Sequence, residues 1–153
     1  MTNTFQREGS ISNAHVGNEF ELLTKKLFAE RGIFLEGNIK IKIGLREKKS
    51  HRFDLGSVEE KIIVECKSHT WTKTGNTPSA KMTTWEQAMF YFLLAPEDFR
   101  KIFVVLKNEH PKKNETLAEY FIRLRSNLIP EDVEIWELDV ERKEFRVLSG
   151  ILG

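Results

Sequence analysis

The stretch HRFDLGSVEEKIIVECKSHTWT, residues 51–72, places Asp54, Glu65 and Lys67 at or inside two apolar runs. Side chains alternate along a strand, so in KIIVECK Glu65 and Lys67 share one face with Ile63, their Cα atoms about 7 Å apart. Ile62, Val64 and Cys66 point the other way. Asp54 lies on the preceding strand, the neighbour in a hairpin. Two carboxylates from adjacent strands supply hard oxygen ligands of the kind Mg²⁺ takes, together with waters and substrate phosphates. A lysine beside them can hold a water and help deprotonate it, or stabilise charge on a phosphate. Two acids at the apolar end of a sheet repel each other and resist desolvation. A divalent cation removes both costs, lowers the pKa of bound water and acts as a Lewis acid on phosphoryl oxygen. The cluster therefore reads as a metal-dependent site for phosphodiester hydrolysis. The competing reading is a solvated Glu-x-Lys strand face, with Asp54 capping the LGS turn.

Hydrophobic periodicity gives the elements that must position these residues. Residues 1–14 are polar and read as a loose tail. Phe20, Leu23, Leu27 and Phe28 then recur at helical spacing, with Leu22 beside them, and predict a helix from about Val16 to Arg31 that stops at Gly32. NIKIKIGL alternates Ile39, Ile41 and Ile43 against Lys40 and Lys42, the pattern of a half-buried strand. LREKKSH is a charged turn. Strands follow over about 51–55 and 61–67, the second apolar on both faces in its first half, as in the middle of a covered sheet. A second helix is expected at TTWEQ, where Thr83 with Glu86 and Thr84 with Gln87 form overlapping capping boxes. Trp85, Ala88, Met89 and Phe92 make its apolar stripe and Pro96 closes it. KIFVVLK, residues 101–107, is a buried strand. A third helix, about 116–127, presents Leu117, Tyr120, Phe121 and Leu124, and VEIWELDV and EFRVLSG finish the chain as strands. The order α-β-β-β-α-β-α-β-β predicts a single α/β domain over 1–153, a central mixed sheet flanked by helices.

A net charge of +1 over 153 residues gives no global basic field, so any polyanion site must be local. The single cysteine, Cys66, excludes an intramolecular disulfide and metal sites built from cysteine clusters. The longest apolar run, MFYFLLA at 89–95, is too short to span a bilayer, and MTNTFQREGSISN is no signal peptide. These features predict a cytoplasmic protein without membrane contact. His15, His51, His69 and His110 show no zinc spacing, and His69 lies near the site without an evident partner. As a nucleophile Cys66 would need an activating base, whereas strand alternation sends its thiol into the core.

The chain resembles the PD-(D/E)xK nuclease superfamily, which has the restriction-endonuclease-like fold. FDLG supplies the Asp near the start of one strand, Asp54, and VECK supplies Glu65 and Lys67 on the next; Phe53 stands where the family often has Pro. The helix, three-strand meander, helix and strand match its αβββαβ core over about residues 16–107, with a C-terminal helix and two further strands beyond it. GNEFE, Gly17–Glu21, is similar to the Gly-x-x-x-Glu that many members carry on the first helix. Glu19, two residues earlier and so facing elsewhere on the helix, is the competing carboxylate for the site. The resemblance implies that Asp54, Glu65 and the backbone carbonyl of Cys66 bind Mg²⁺ or Mn²⁺. It implies that Lys67 positions the attacking water, and that Glu21 assists or helps bind a second metal. Water would attack phosphorus in line, with the 3′ oxygen leaving, in DNA as an endonuclease or exonuclease.

The loop SHTWTKTGNTPSAK is rich in phosphate-bonding groups and offers Ser68, Lys73 and Lys81 to a nucleic-acid backbone, with Trp71 stacking on a base or packed back on the core. Gln87 either faces the site or is solvated. Lys40, Lys42, Arg46, Lys48, Lys49 and Arg52 form the densest basic run; it either grips phosphates, Lys49 and Arg52 among them, or keeps a hairpin soluble. HPKK, at 110–113, is a weaker run of the same kind. A non-enzymatic nucleic-acid- or protein-binding module on the same fold is the alternative, and an interaction protein with carboxylates only at its surface is a third. Cutting both strands of a duplex from so short a chain would call for a homodimer or a partner subunit.

Overall fold

A computed structural model describes residues 10–149 of the chain. The elements in order are α1 (Ser10–Glu30), β1 (Glu36–Ile43), β2 (Lys49–Ser57), β3 (Ile62–Lys67), α2 (Ser79–Leu94), β4 (Arg100–Leu106), α3 (Leu117–Arg125) with a 3-10 turn (Ser126–Leu128), β5 (Val133–Asp139) and β6 (Glu144–Ser149). All six strands form one mixed sheet in the order β1-β2-β3-β4-β5-β6. The β1–β2–β3 meander is antiparallel, β4 and β5 run parallel to β3, and β6 returns antiparallel.

The parallel steps β3→β4 and β4→β5 need crossovers, which α2 and α3 provide. Both steps run the same way across the sheet, so right-handed connections put both helices on one face. Trp85, Met89 and Phe92 of α2 and Leu117 and Phe121 of α3 bury there against Phe53, Ile63, Phe103, Val105 and Ile135. The opposite face is covered by α1, whose Val16, Phe20, Leu27 and Phe28 pack on Leu55, Val64, Cys66, Val104 and Trp136. Both faces of β3 and β4 are therefore buried, which is why their sequences read as apolar runs. Among the described residues no helix is long and apolar enough to cross a membrane.

Three expectations are corrected. The first helix begins at Ser10, so residues 10–14 of the expected tail are helical; residues 1–9 lie outside the described residues. Leu22 and Leu124, at the margins of their stripes, are 66% and 39% exposed. The second helix begins at Ser79, one turn before TTWEQ. The Pro78 carbonyl accepts from Lys81 N (2.9 Å) and Met82 N (3.0 Å) and starts the helix. Thr83 and Thr84 then lie inside it, and their hydroxyls donate back to the carbonyls of Ala80 (2.7 Å) and Lys81 (2.6 Å) instead of capping.

A capping box does form at α3. Thr116 Oγ1 accepts from Glu119 N at 3.1 Å, and Glu119 Oε1 accepts from Thr116 N at 2.8 Å. Thr116→Ala is expected to cost about 1 kcal/mol, which thermal unfolding would register as a drop of about 2–4 °C.

Candidate active site

The ladder between β2 and β3 ends where the acids begin. Ser57, Gly56 and Leu55 pair with Ile62, Ile63 and Val64, and there the pairing stops. Beyond it, side chains span the gap. Asp54 N donates to Glu65 Oε1 at 3.1 Å, and Cys66 N donates to Asp54 Oδ2 at 2.8 Å. Each carboxylate thus receives an amide from the opposite strand, which fixes one oxygen of each. Phe53 and Leu55, two apart on β2, enter opposite core layers, so the strand turns over at Asp54. Asn38, which the flanking register sets opposite Asp54 on β1, has φ 57, the left-handed region that Asn tolerates. Lys67 Nζ lies 3.9 Å from Glu65 Oε2, with the Glu65 side chain 12% exposed.

These residues open on a pocket of about 240 Å³. Asp54, Glu65, Cys66, Lys67, Ser68 and His69 line it from the sheet side, Gly17 and Glu21 from α1, and Lys81 from α2. A Cβ at Gly17 would meet nothing within 4 Å, so packing does not demand the glycine; it leaves space at the pocket wall. Glu19 turns away and pairs with His15 at 2.9 Å, which leaves Glu21 as the helix carboxylate of the pocket.

Burial raises the proton affinity of all three carboxylates, and the Asp54 charge adds to it at Glu65 and Glu21. Glu65 is pushed up to about 8, first by burial and then by the Asp54 charge, against the pull of Lys67 and the Asp54 amide. Glu21 is pushed up to about 7 by burial and Asp54, opposed by Arg52 and Lys67. Burial also raises Asp54, against the Cys66 amide, Lys67, Arg52 and His51. The Cys66 thiol is buried in the α1 layer and burial pushes its pKa well up, which removes it as a thiolate nucleophile.

Of the residues expected to contact nucleic acid, Ser68 and Lys81 line the pocket. Lys73, Gln87 and Lys49 are exposed away from it, Lys49 lying 3.4 Å from Glu47. Arg52 is exposed and close enough for its charge to act on Glu21 and Asp54. Trp71 takes the packed alternative and is not available for stacking on a base. It is 8% exposed, with its ring edge-on to His110 and Tyr120 and its amide donating to Asn108 Oδ1 at 2.8 Å. His110 Nε2 also bonds the Gly75 carbonyl at 2.8 Å, so the loop after β3 is docked on the 108–116 segment.

His69 has a partner that the sequence did not reveal. The buried indole of Trp85 donates from Nε1 to His69 Nδ1 at 2.9 Å. An indole N–H only donates, so Nδ1 must accept and the ring proton sits on Nε2. The available signal was Trp85 itself, since a buried tryptophan seeks an acceptor for its N–H.

Among the described residues no three His, Cys, Asp or Glu side chains stand together as a metal cage. The donor set on the two strands fits a cation that needs few protein ligands: two carboxylates, each with one oxygen outside the cross-strand amide bonds, with Cys66 also lining the pocket. Comparison with protein-family models, with curated proteins and with solved structures finds no match for this chain.

Proposed function

We propose that the chain is a metal-dependent nuclease of the restriction-endonuclease-like fold, hydrolysing phosphodiester bonds of DNA at Asp54, Glu65 and Lys67. The observation that carries this reading is the pair of cross-strand carboxylates. They are held by amides, largely buried, and driven toward protonation chiefly by that burial, which Lys67 only partly offsets. A fold that keeps two such acids together is explained by a ligand that needs them ionised. The element order supports the same reading, since α1, the β1–β2–β3 meander, α2 and β4 follow the αβββαβ sequence.

Asp54, Glu65 and the Cys66 carbonyl would hold Mg²⁺ or Mn²⁺, which supplies Lewis acidity toward a phosphoryl oxygen and acidifies a bound water. Lys67, beside Glu65, donates hydrogen bonds to the attacking water and offsets negative charge as phosphorus becomes five-coordinate. Glu21, the α1 carboxylate of the pocket, can accept the proton that the water loses. Ser68 and Lys81 face the entering phosphate from the pocket wall. The P–O3′ bond breaks as the P–O bond to water forms, and a solvent proton neutralises the departing 3′ oxygen.

Calorimetric titration with Mn²⁺ tests the metal site directly. The wild type is expected to bind. Asp54→Asn keeps an oxygen for the Cys66 amide while removing the charge, and is expected to weaken binding at least about tenfold. Equal binding by both proteins would sink the proposal.

A further inference from the structure

The β1–β2 hairpin carries a like-charge arrangement that its packing does not require. Ile39 and Ile43 face the α2 layer, so Lys40 and Lys42 project from the opposite face. Arg52 alternates with the buried Phe53 and projects there too. The register sets Lys40 directly opposite Arg52 and Lys42 opposite Ser50. Two cations directly across an antiparallel pair destabilise it. A third, Lys42, is the diagonal neighbour of Arg52, about 7–8 Å away. All three are exposed, and among the described residues none forms a salt bridge, whereas Lys49 has Glu47. On this face α1 contacts β2 and β3, while Lys40 and Lys42 of β1 are exposed among the described residues.

Lysines on an edge strand have a simpler use, because they block edge-to-edge pairing. That use explains Lys40 and Lys42. It does not explain an unpaired arginine set against Lys40 on β2, a strand paired on both sides. The position of Arg52 is informative. It lies two residues before Asp54, and its charge is felt by both Asp54 and Glu21. The cations therefore run outward from the pocket, Arg52 and Lys40 first and Lys42 beyond.

We infer that Arg52, Lys40 and Lys42 form a phosphate-binding ridge that guides a nucleic-acid backbone away from the pocket along their exposed face of the β1–β2 hairpin. This rests on the nuclease reading and gives the substrate a path. A backbone lying on the ridge meets exposed cations that form no salt bridge among the described residues and are held in a fixed sheet register. The contact is electrostatic and carries no base reading.

The test is fluorescence anisotropy of a labelled DNA oligonucleotide with the full chain at a series of salt concentrations, comparing the wild type, Lys40→Gln/Lys42→Gln and the control Lys112→Gln/Lys113→Gln. The two variants change net charge equally, and equal melting temperatures would confirm that both are folded. The ridge variant is expected to lower the slope of log K against log salt by about 1.8 on duplex DNA, or about 1.4 on a single strand. The control is expected to match the wild type. Cleavage by the ridge variant should lose kcat/KM through KM, with kcat at saturation kept. A wild type that binds and cleaves DNA, beside a ridge variant with unchanged slope or a control that weakens equally, would overturn the ridge and leave the nuclease reading standing. A wild type with no affinity for nucleic acid and no Mn²⁺-dependent cleavage would overturn both.

Discussion

Lys67→Ala is expected to lower Mn²⁺-supported DNA cleavage by a factor of about 10²–10⁴, the range for losing one positioned proton-handling or charge-stabilising group. Lys67 is the group at the site that contributes charge without contributing a rung to the sheet. Its Nζ stands 3.9 Å from Glu65 Oε2, beyond hydrogen-bond length, while Asp54 and Glu65 each hold an amide of the facing strand. Removing the ammonium should therefore leave the strands in register and the fold intact. Single-turnover kinetics at saturating Mn²⁺ isolate the chemical step. Lys67→Arg restores charge with a planar fork in place of a compact ammonium, and should recover only part of the rate. Loss of less than about tenfold for Lys67→Ala would place the chemistry elsewhere.

Metal-free protein is expected to lose stability as pH rises from about 5 to 8, and Glu65→Gln to abolish most of that loss while abolishing cleavage. The folded chain holds the Glu65 proton to about pH 8, against an ordinary value of 4.5. Below pH 4.5 both the folded and unfolded chains carry the proton, and burial of Glu65 is not opposed by its charge. Between 4.5 and 8 the unfolded chain releases the proton first, so each pH unit favours unfolding; above 8 the whole cost is present. Glu21, raised to about 7, acts in the same direction within the same window. For Glu65 the shift amounts to a few kcal/mol, or on the order of 10 °C in Tm for a chain of this size. Gln keeps a side-chain oxygen to accept the Asp54 amide and carries no charge to bury. Mg²⁺ or Mn²⁺ should raise the wild-type Tm at pH 8 and release protons on binding near neutral pH. Scanning calorimetry across pH, with and without metal, reads both effects. A flat wild-type profile, or a Glu65→Gln variant that melts below the wild type at pH 8, would refute the burial account.

The site was legible in the sequence wherever one local rule decided it. Strand alternation placed Glu65 and Lys67 on the face of Ile63 and sent Cys66 to the other core. Helical spacing put Glu19 and Glu21 on different faces without choosing between them, and of the two the pocket contains Glu21. What escaped depends on contacts between distant segments. The end of the β2–β3 ladder at Leu55 and Val64 is a register property, and the amide bonds to Asp54 and Glu65 follow from it. For Trp71 the sequence offered both stacking and packing; the packing depends on Asn108, His110 and Tyr120, which are remote in sequence. At α2 a local rule misled: Thr83 and Thr84 carry capping signatures, yet the helix starts earlier at Pro78, whose carbonyl already accepts the Met82 amide.

The cross-strand amide bonds bear on how relatives of this chain should be compared. Asp54 and Glu65 stitch β2 to β3 where the backbone ladder has ended. Without a cation to hold, selection on the fold alone would keep a side-chain oxygen at 54 and 65, which Asn and Gln supply without burying a charge, because removing the oxygen frees a partly buried amide. Lys67 is under no such structural hold. In an alignment of homologues, an oxygen-bearing side chain at both positions would then report the fold, and the joint persistence of the two charges with the lysine would report the proposed chemistry.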